Sequence, residues 1–249
     1  MDSSLGDLNI MLTRPAEQTA SLQNKLTQLG AHALSFPCIE IKPITQIKLP
    51  TPLSAIDIII FISSNAVNYG FQAIPELHDQ YAIKFAAIGQ RTAQALTAKG
   101  INEVISPDER FDSESLLETD LFRDVQNRSI MIIKGEGGRS YLQDTLNQRG
   151  ASVHCVDVYQ RILPENPKVE FLPSTLDLIL FASSQAAENL LFLVPEQPLR
   201  QLLKCQTIVG HPKIGQKVAS LGFKKLPIIA SSPMEDDFLL AIRDWASRR

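Results

Sequence analysis

Residues able to hold or protonate an acidic ligand recur in this sequence at matched places. Thr13-Arg14-Pro15 and Lys134-Gly135-Glu136-Gly137-Gly138-Arg139 each follow a short apolar run. Their cationic side chains are donors suited to carboxylate or phosphate, and the glycines let backbone approach a ligand. Ser63-Ser64-Asn65 and Ser183-Ser184-Gln185 follow longer apolar runs and offer hydroxyls and, at a helix start, unpaired N–H groups. Gly89-Gln90-Arg91-Thr92 and Gly210-His211-Pro212-Lys213 form a third donor-rich pair. Each set also has a plainer reading. Ser and Asn are favoured helix caps, Pro15 suits the first position of a helix, and the glycines make turns. His211 before proline reads as a cap or surface residue, and Thr92 as pointing outward from a first helical turn. The acids Glu235, Asp236 and Asp237 open the C-terminal helix, where the macrodipole favours them, and are read as structural.

Other chemistries lack their residues. There is no GxSxG elbow, no HExxH and no Gly-Lys-Ser/Thr phosphate loop, and Ser140 stands where a dinucleotide fingerprint needs its third glycine. Cys38, Cys155 and Cys205 are odd in number and far apart, without zinc-type spacing. They read as reduced thiols of a cytoplasmic protein, and no metal site is expected.

The pairing of these sets follows from internal repetition. Adding 120 to a residue number maps Ile10-Met11 onto Ile130-Met131, Leu22, Leu26 and Gly30 onto Leu142, Leu146 and Gly150, and Asp57, Phe61 and Ser63 onto Asp177, Phe181 and Ser183. One inserted residue later, Ala87-Ile88-Gly89 meets Ile208-Val209-Gly210. A tandem duplication of a half-length unit explains the register. Each unit alternates strand and helix: apolar runs at 9–12, 57–62 and 84–88, and at 129–133, 177–182 and 206–209, each lead into a turn and a helical pattern. Gly30 and Gly150 read as helix-ending glycines. After Asp57 and Asp177 these runs are apolar throughout, at 58–62 and 178–182, as strands covered on both faces are. The β-α order implies doubly wound parallel sheets, whose ligands bind at the strand carboxyl ends. All three paired sets fall at that edge.

The chain has 249 residues, 44% hydrophobic and 20% charged, proportions of a globular protein. No apolar run approaches the ~20 residues of a membrane span, and the acidic N-terminus does not read as a signal peptide. Net charge is −3, with 8 basic against 14 acidic residues in 1–120 and 16 against 13 in the remainder; neither half has the basic field of a nucleic-acid binder.

Proline-bounded extended segments at 36–43 and 158–164 interrupt the two repeats at equivalent points. Two layouts fit. Either the domains are sequential and divide near 121, or the chain leaves one domain through the first segment and returns through the second. In the discontinuous layout, 1–36 plus 164–249 form one α/β domain, 43–157 an inserted one, and 37–42 with 158–163 are linker strands.

In family order, Leu12-Thr13-Arg14-Pro15, Phe61-Ile62-Ser63-Ser64-Asn65-Ala66-Val67, Ala87-Ile88-Gly89-Gln90-Arg91-Thr92-Ala93, Lys134 to Arg139 with Arg149-Gly150-Ala151, Val158-Tyr159-Gln160-Arg161, Phe181-Ala182-Ser183-Ser184, and His211-Pro212-Lys213-Ile214 with Leu221-Gly222-Phe223 resemble uroporphyrinogen-III synthases. The set spans nearly the whole chain. Lys134 stands where arginine is commoner in the family, and Ser140 where an acid often follows Gly-Gly-Arg. The resemblance implies two flavodoxin-like domains joined by a two-stranded linker, which agrees with the discontinuous layout. It implies a cofactor-free cyclising dehydration of linear hydroxymethylbilane to uroporphyrinogen III through a spiro intermediate that inverts ring D, in a cleft between the domains. Substrate-binding residues are expected to be Thr13, Arg14, Ser63, Ser64, Asn65, Gly89, Arg91, Thr92, Lys134, Gly135, Arg139, Ser183, Ser184, His211 and Lys213. Tyr159 is the expected general acid or orienter of the leaving hydroxyl, with a packed strand tyrosine as its plainer reading. A monomer is expected, in transient contact with the enzyme that supplies its unstable substrate. The competing readings are a non-enzymatic two-domain binder of a small acid and a sugar-nucleotide transferase, the latter opposed by the missing nucleotide fingerprint.

Overall fold

A computed structural model describes residues 5–107, 112–138, 140–169 and 175–249. In chain order the elements are β1 (Asn9–Leu12), α1 (Ala20–Gln28), β2 (His32–Ser35), β3 (Glu40–Pro43), β4 (Ile58–Phe61), α2 (Ser64–Ala73), β5 (Lys84–Ala87), α3 (Gln90–Ala98), β6 (Val104–Ile105), α4 (Ser113–Glu118) and α5 (Asp120–Arg123). There follow β7 (Ser129–Gly135), α6 (Tyr141–Gln148), β8 (Ser152–Ile162), β9 (Leu178–Phe181), α7 (Ser184–Leu193), α8 (Glu196–Leu202), β10 (Gln206–Val209), α9 (Pro212–Ser220), β11 (Ile228–Ile229) and α10 (Glu235–Ala246). No helix among the described residues is long and apolar enough to cross a membrane.

The chain divides into two compact units, one of residues 1–40 with 162–249 and one of residues 41–161. The first holds a parallel five-stranded sheet in the order β11-β10-β9-β1-β2. The second holds a six-stranded sheet, β3-β8-β7-β4-β5-β6, whose pairs from β8 to β6 are parallel. The first follows the flavodoxin-like 2-1-3-4-5 order in chain sequence; the second has the same spatial order, β8-β7-β4-β5-β6, only when β7 and β8 are counted ahead of β4, and β3 is added at its edge. The fold class read from the sequence is therefore the one observed.

Burial on both faces explains the unbroken apolar runs. In the first unit Ile10, Leu12, Leu178, Leu180 and Ile208 pack with Leu22 and Leu26 of α1 and with Phe238 and Ile242 of α10. The intervening Met11, Ile179, Phe181 and Val209 point to the other face and are equally buried. In the second unit Ile58, Ile60, Ala86, Ile130 and Ile132 pack with Leu142 and Leu146 of α6 and with Leu116, Leu117 and Phe122. On its far face Phe61 lies between Phe71 and Phe85, with ring centroids 5.8 and 6.3 Å away.

Gly30 and Gly150 end α1 and α6 with φ of +87° and +84°, the left-handed turn that favours glycine. The acids of α10 lock that helix onto α1: Ser21 donates to Glu235 at 2.8 Å, and Lys25 meets Asp236 at 2.8 Å. The Lys25 hydrogen bond and charge hold the Asp236 carboxyl below its ordinary value.

Candidate functional site

At the carboxyl end of β4 the chain turns through Ser63, whose extended backbone (φ −165°, ψ 160°) lets its Oγ accept the Ala66 N–H of α2 at 3.0 Å. Ser183 repeats this geometry after β9, accepting from Ala186 at 3.1 Å. Ser64, Asn65 and Ser184 occupy the first turns behind these caps and are partly exposed. After β10, His211 Nδ1 accepts the Lys213 N–H at 3.1 Å, so this imidazole caps α9. Its other nitrogen and the Lys213 ammonium stay at the exposed edge. After β5, Gly89 caps α3 by backbone alone. The side chains of Arg91 and Lys213 are exposed and, among the described residues, have no intramolecular hydrogen-bond or ion-pair partner. Among the described candidate cations, these two have charge available to a ligand.

Other sequence-derived candidates are engaged internally. Thr13 is fully buried and its hydroxyl donates to Leu180 O at 2.6 Å, tying β1 to β9. Thr92 is only 4% exposed rather than outward-pointing, because it lies on the same buried face of α3 as Leu96. The Thr13 hydroxyl does not reach a ligand in this conformation. The Arg14 guanidinium donates to Pro233 O and lies 5.2 Å from the Phe238 ring centroid, which binds the first strand-to-helix turn to the start of α10.

Lys134 donates to the carbonyls of Gly135 and Gly137, at 3.1 and 2.8 Å, and lies 2.8 Å from Asp157. Asp157 Oδ1 sits off the hydrogen-bonding direction, so the contact is one of charge. Asp157 has no counterpart in the sequence-derived set, and its effect is to neutralise Lys134 and fold the glycine turn around it. A recess of about 300 Å³ lies over this turn, lined by Ile62, Ile88, Lys134, Gly138, Ser140 and Cys155 among others. Arg139 lies outside the described residues.

Tyr159 belongs to β8 and to the second unit, with 1% exposure. Its hydroxyl is 3.1 Å from Ser63 Oγ and 2.9 Å from Arg161 Nη2, which donates to it. Gly135 makes room for the ring, since a methyl there would come within 2.4 Å of it. Sequence reasoning did not single out Arg161; its place two residues after Tyr159 in an extended run put both on one strand face.

Fold and strand ends together define a duplicated, flavodoxin-like α/β protein with a serine-capped, donor-bearing strand edge on each of two units. A family sequence model described as uroporphyrinogen-III synthase HemD matches residues 20–239, and the chain belongs to the uroporphyrinogen-III synthase family. It is 28% identical to the uroporphyrinogen-III synthase of Escherichia coli K12 over 250 residues, covering 95% of this chain and all of the relative. It is 31% identical to that of Proteus mirabilis over 171 residues, covering 66% and 85%. Among solved structures, the uroporphyrinogen-III synthetase of Helicobacter pylori shares the fold at a TM-score of 0.67 and 16% identity over 97% of this chain and all of that one. A mutant synthase from Thermus thermophilus does so at 0.56 and 16%, over 95% and 99%.

Proposed function

We propose that this chain closes linear hydroxymethylbilane to uroporphyrinogen III, losing water and inverting ring D through a spiro intermediate. The observation that carries the reading is the family match over residues 20–239, nearly the full repeat pair. The chemistry agrees with the residues. Substrate and product differ by one water with no net oxidation, so the atom balance requires no redox cofactor, and the enzyme is a cofactor-independent lyase. The substrate is flexible, carries eight carboxylates and closes unaided to the unrearranged isomer; the enzyme's main task is to impose a conformation. Serine-capped helix starts, Arg91 and Lys213 are donors for the peripheral acids. The same positive helix ends would disfavour the azafulvene cation, which places them at the acids rather than at the reacting carbon.

Tyr159 is the proposed proton source for the departing hydroxyl, and at 1% exposure its route outward runs through Ser63. We place the reaction in the cytoplasm, performed by a monomer that meets the supplying enzyme transiently because its substrate is unstable.

Incubating the protein with hydroxymethylbilane and separating the oxidised porphyrin isomers tests the reading. Isomer III is expected in excess; isomer I alone would leave a non-enzymatic acid-binding protein. Because conformation dominates, Tyr159→Phe should slow formation of isomer III, by about tenfold to a hundredfold, without abolishing it. A folded variant with none above background would overturn that division of labour.

A further inference from the structure

The Tyr159 hydroxyl, Ser63 and Arg161 form a cluster in which donor and acceptor roles can be assigned by counting. A guanidinium has only donors, so at 2.9 Å the Tyr159 oxygen accepts from Arg161 Nη2. The phenol is sealed from solvent and the other polar group at hydrogen-bond distance from it is Ser63 Oγ, 3.1 Å away, so a satisfied Tyr159 proton goes to Ser63. Ser63 Oγ already accepts the Ala66 N–H at 3.0 Å. With the Tyr159 proton, both of its lone pairs are filled. Its own hydrogen must point away from these two partners, and Ser63 is half-buried where Tyr159 is sealed. The ring cannot swing to present its own hydroxyl. It is pressed against Gly135, lies 5.9 Å from the Tyr69 ring, and has the Arg161 guanidinium 5.3 Å from its centroid.

From this geometry we infer that Ser63 is the catalytic residue that hands the proton to the leaving hydroxyl, while Tyr159 and Arg161 are positioning residues that supply and aim it. The inference rests on the function proposed above. As the C–O bond of the hydroxymethyl group breaks, its electron pair goes to oxygen, which takes the Ser63 proton and leaves as water. Ser63 takes the Tyr159 proton, and the phenolate so formed faces the Arg161 guanidinium. Final ring closure releases a proton from the pyrrole carbon that becomes bonded. That proton returns along the same path, and the protein ends unchanged.

Duplication sharpens the point. Ser183 has the same cap geometry in the first unit, yet the extended segment that the 120-residue register matches to 156–161, Phe36-Pro37-Cys38-Ile39-Glu40-Ile41, contains neither phenol nor guanidinium. The two units share the cap, and the second adds the proton supply.

The test measures initial rates of isomer III formation by full-length variants, each checked for an unchanged thermal midpoint. Arg161→Gln should lower kcat about tenfold with KM within twofold, and Arg161→Lys should recover much of the loss. In a Tyr159→Phe background, Arg161→Gln should change kcat less than twofold, because the group it acts through is gone. Ser63→Gly, which keeps a helix-cap residue while deleting the hydroxyl, should cost at least as much kcat as Tyr159→Phe. Arg161 and Tyr159 effects that multiply, an Arg161→Gln effect confined to KM, or a fully active Ser63→Gly enzyme would each overturn the inference while leaving the synthase reading intact. Absence of isomer III from the unmodified protein would sink both.

Discussion

At the scale of single residues, the structure separates groups that hold the protein together from groups that face outward, a distinction residue type does not carry. Thr13 and Ser63 are both hydroxyls at strand ends, yet Thr13 is sealed against Leu180 O and Ser63 keeps a hydrogen to give. Gly135 shows how far a missing side chain can matter. A methyl placed there meets three atoms of the Tyr159 ring at 2.4 to 2.9 Å, and that ring has no free volume to enter. Gly135→Ala should therefore destabilise the protein by about 1–3 kcal/mol, the cost of overpacking, read from the urea midpoint, and should reduce isomer III formation as Tyr159 is displaced. Unchanged stability and activity together would show that the ring is not held as described. Cys205 offers a pH-dependent check. Burial, the largest cause, pushes its thiol up from 9.0 to about 11, with nearby Lys225 opposing and Asp177 adding to the shift. The folded chain thus keeps this proton when the unfolded chain has released it. The associated stability is intact below about pH 9 and is lost as pH climbs toward 11. Urea midpoints should fall more steeply over that window in the native protein than in Cys205→Ala; parallel curves would contradict the assignment.

At the scale of elements, what the sequence made legible was whatever local chemistry determines. Apolar runs gave β4 and β9, Leu22 with Leu26 and Leu142 with Leu146 gave the buried faces of α1 and α6, and the helix-ending glycines marked where those helices stop. Long-range pairing was not legible. β8 runs unbroken from Ser152 to Ile162, through the point where a linker was expected to begin, because it pairs with β7 from Ser152 to Tyr159 and has β3 on its other side. Asp57 and Asp177 were visible only as a repeated pair. Each accepts a backbone N–H at the start of a neighbouring strand, Ser129 at 2.8 Å and Asn9 at 3.0 Å, and each pairs with an arginine, Arg128 or Arg249. Partners so distant in sequence leave no local signature. Helix interiors also hold unused stability. Gly215 lies inside α9, and a Cβ there would make only ordinary contacts, the nearest 3.5 Å from Val209. Gly215→Ala should raise stability by up to about 1 kcal/mol through helix propensity, measurable as a higher urea midpoint. A loss instead would mean that α9 packs closer to β10 than this spacing allows.

At the scale of the molecule, repeats and compact units do not coincide. The sequence repeats read β1 to β6 and β7 to β11, but the first unit takes β1 and β2 from one repeat and β9, β10 and β11 from the other, while the second takes β4, β5 and β6 with β7 and β8. Each sheet is joined at its centre, where β1 meets β9 and β4 meets β7. Periodicity alone could not choose between this layout and a cut near 121, since both preserve the 120-residue register. The physical consequence is a test between two fragments of nearly equal length. Residues 41–161 contain every strand of one sheet, less the first residue of β3 and the last of β8, and the whole of its core around Ile60, Ile132 and Phe122. Residues 1–120 contain a complete sequence repeat, but β1 lacks β9 and β4 lacks β7, leaving two half-sheets with central strands exposed as edges. The 41–161 fragment should unfold in one cooperative urea transition followed by circular dichroism, whereas the 1–120 fragment should show a sloping, non-cooperative response and a tendency to aggregate. The opposite pattern would mean that the sequence repeat, rather than the composite sheet, is the folding unit, and that β4 can complete a core without β7.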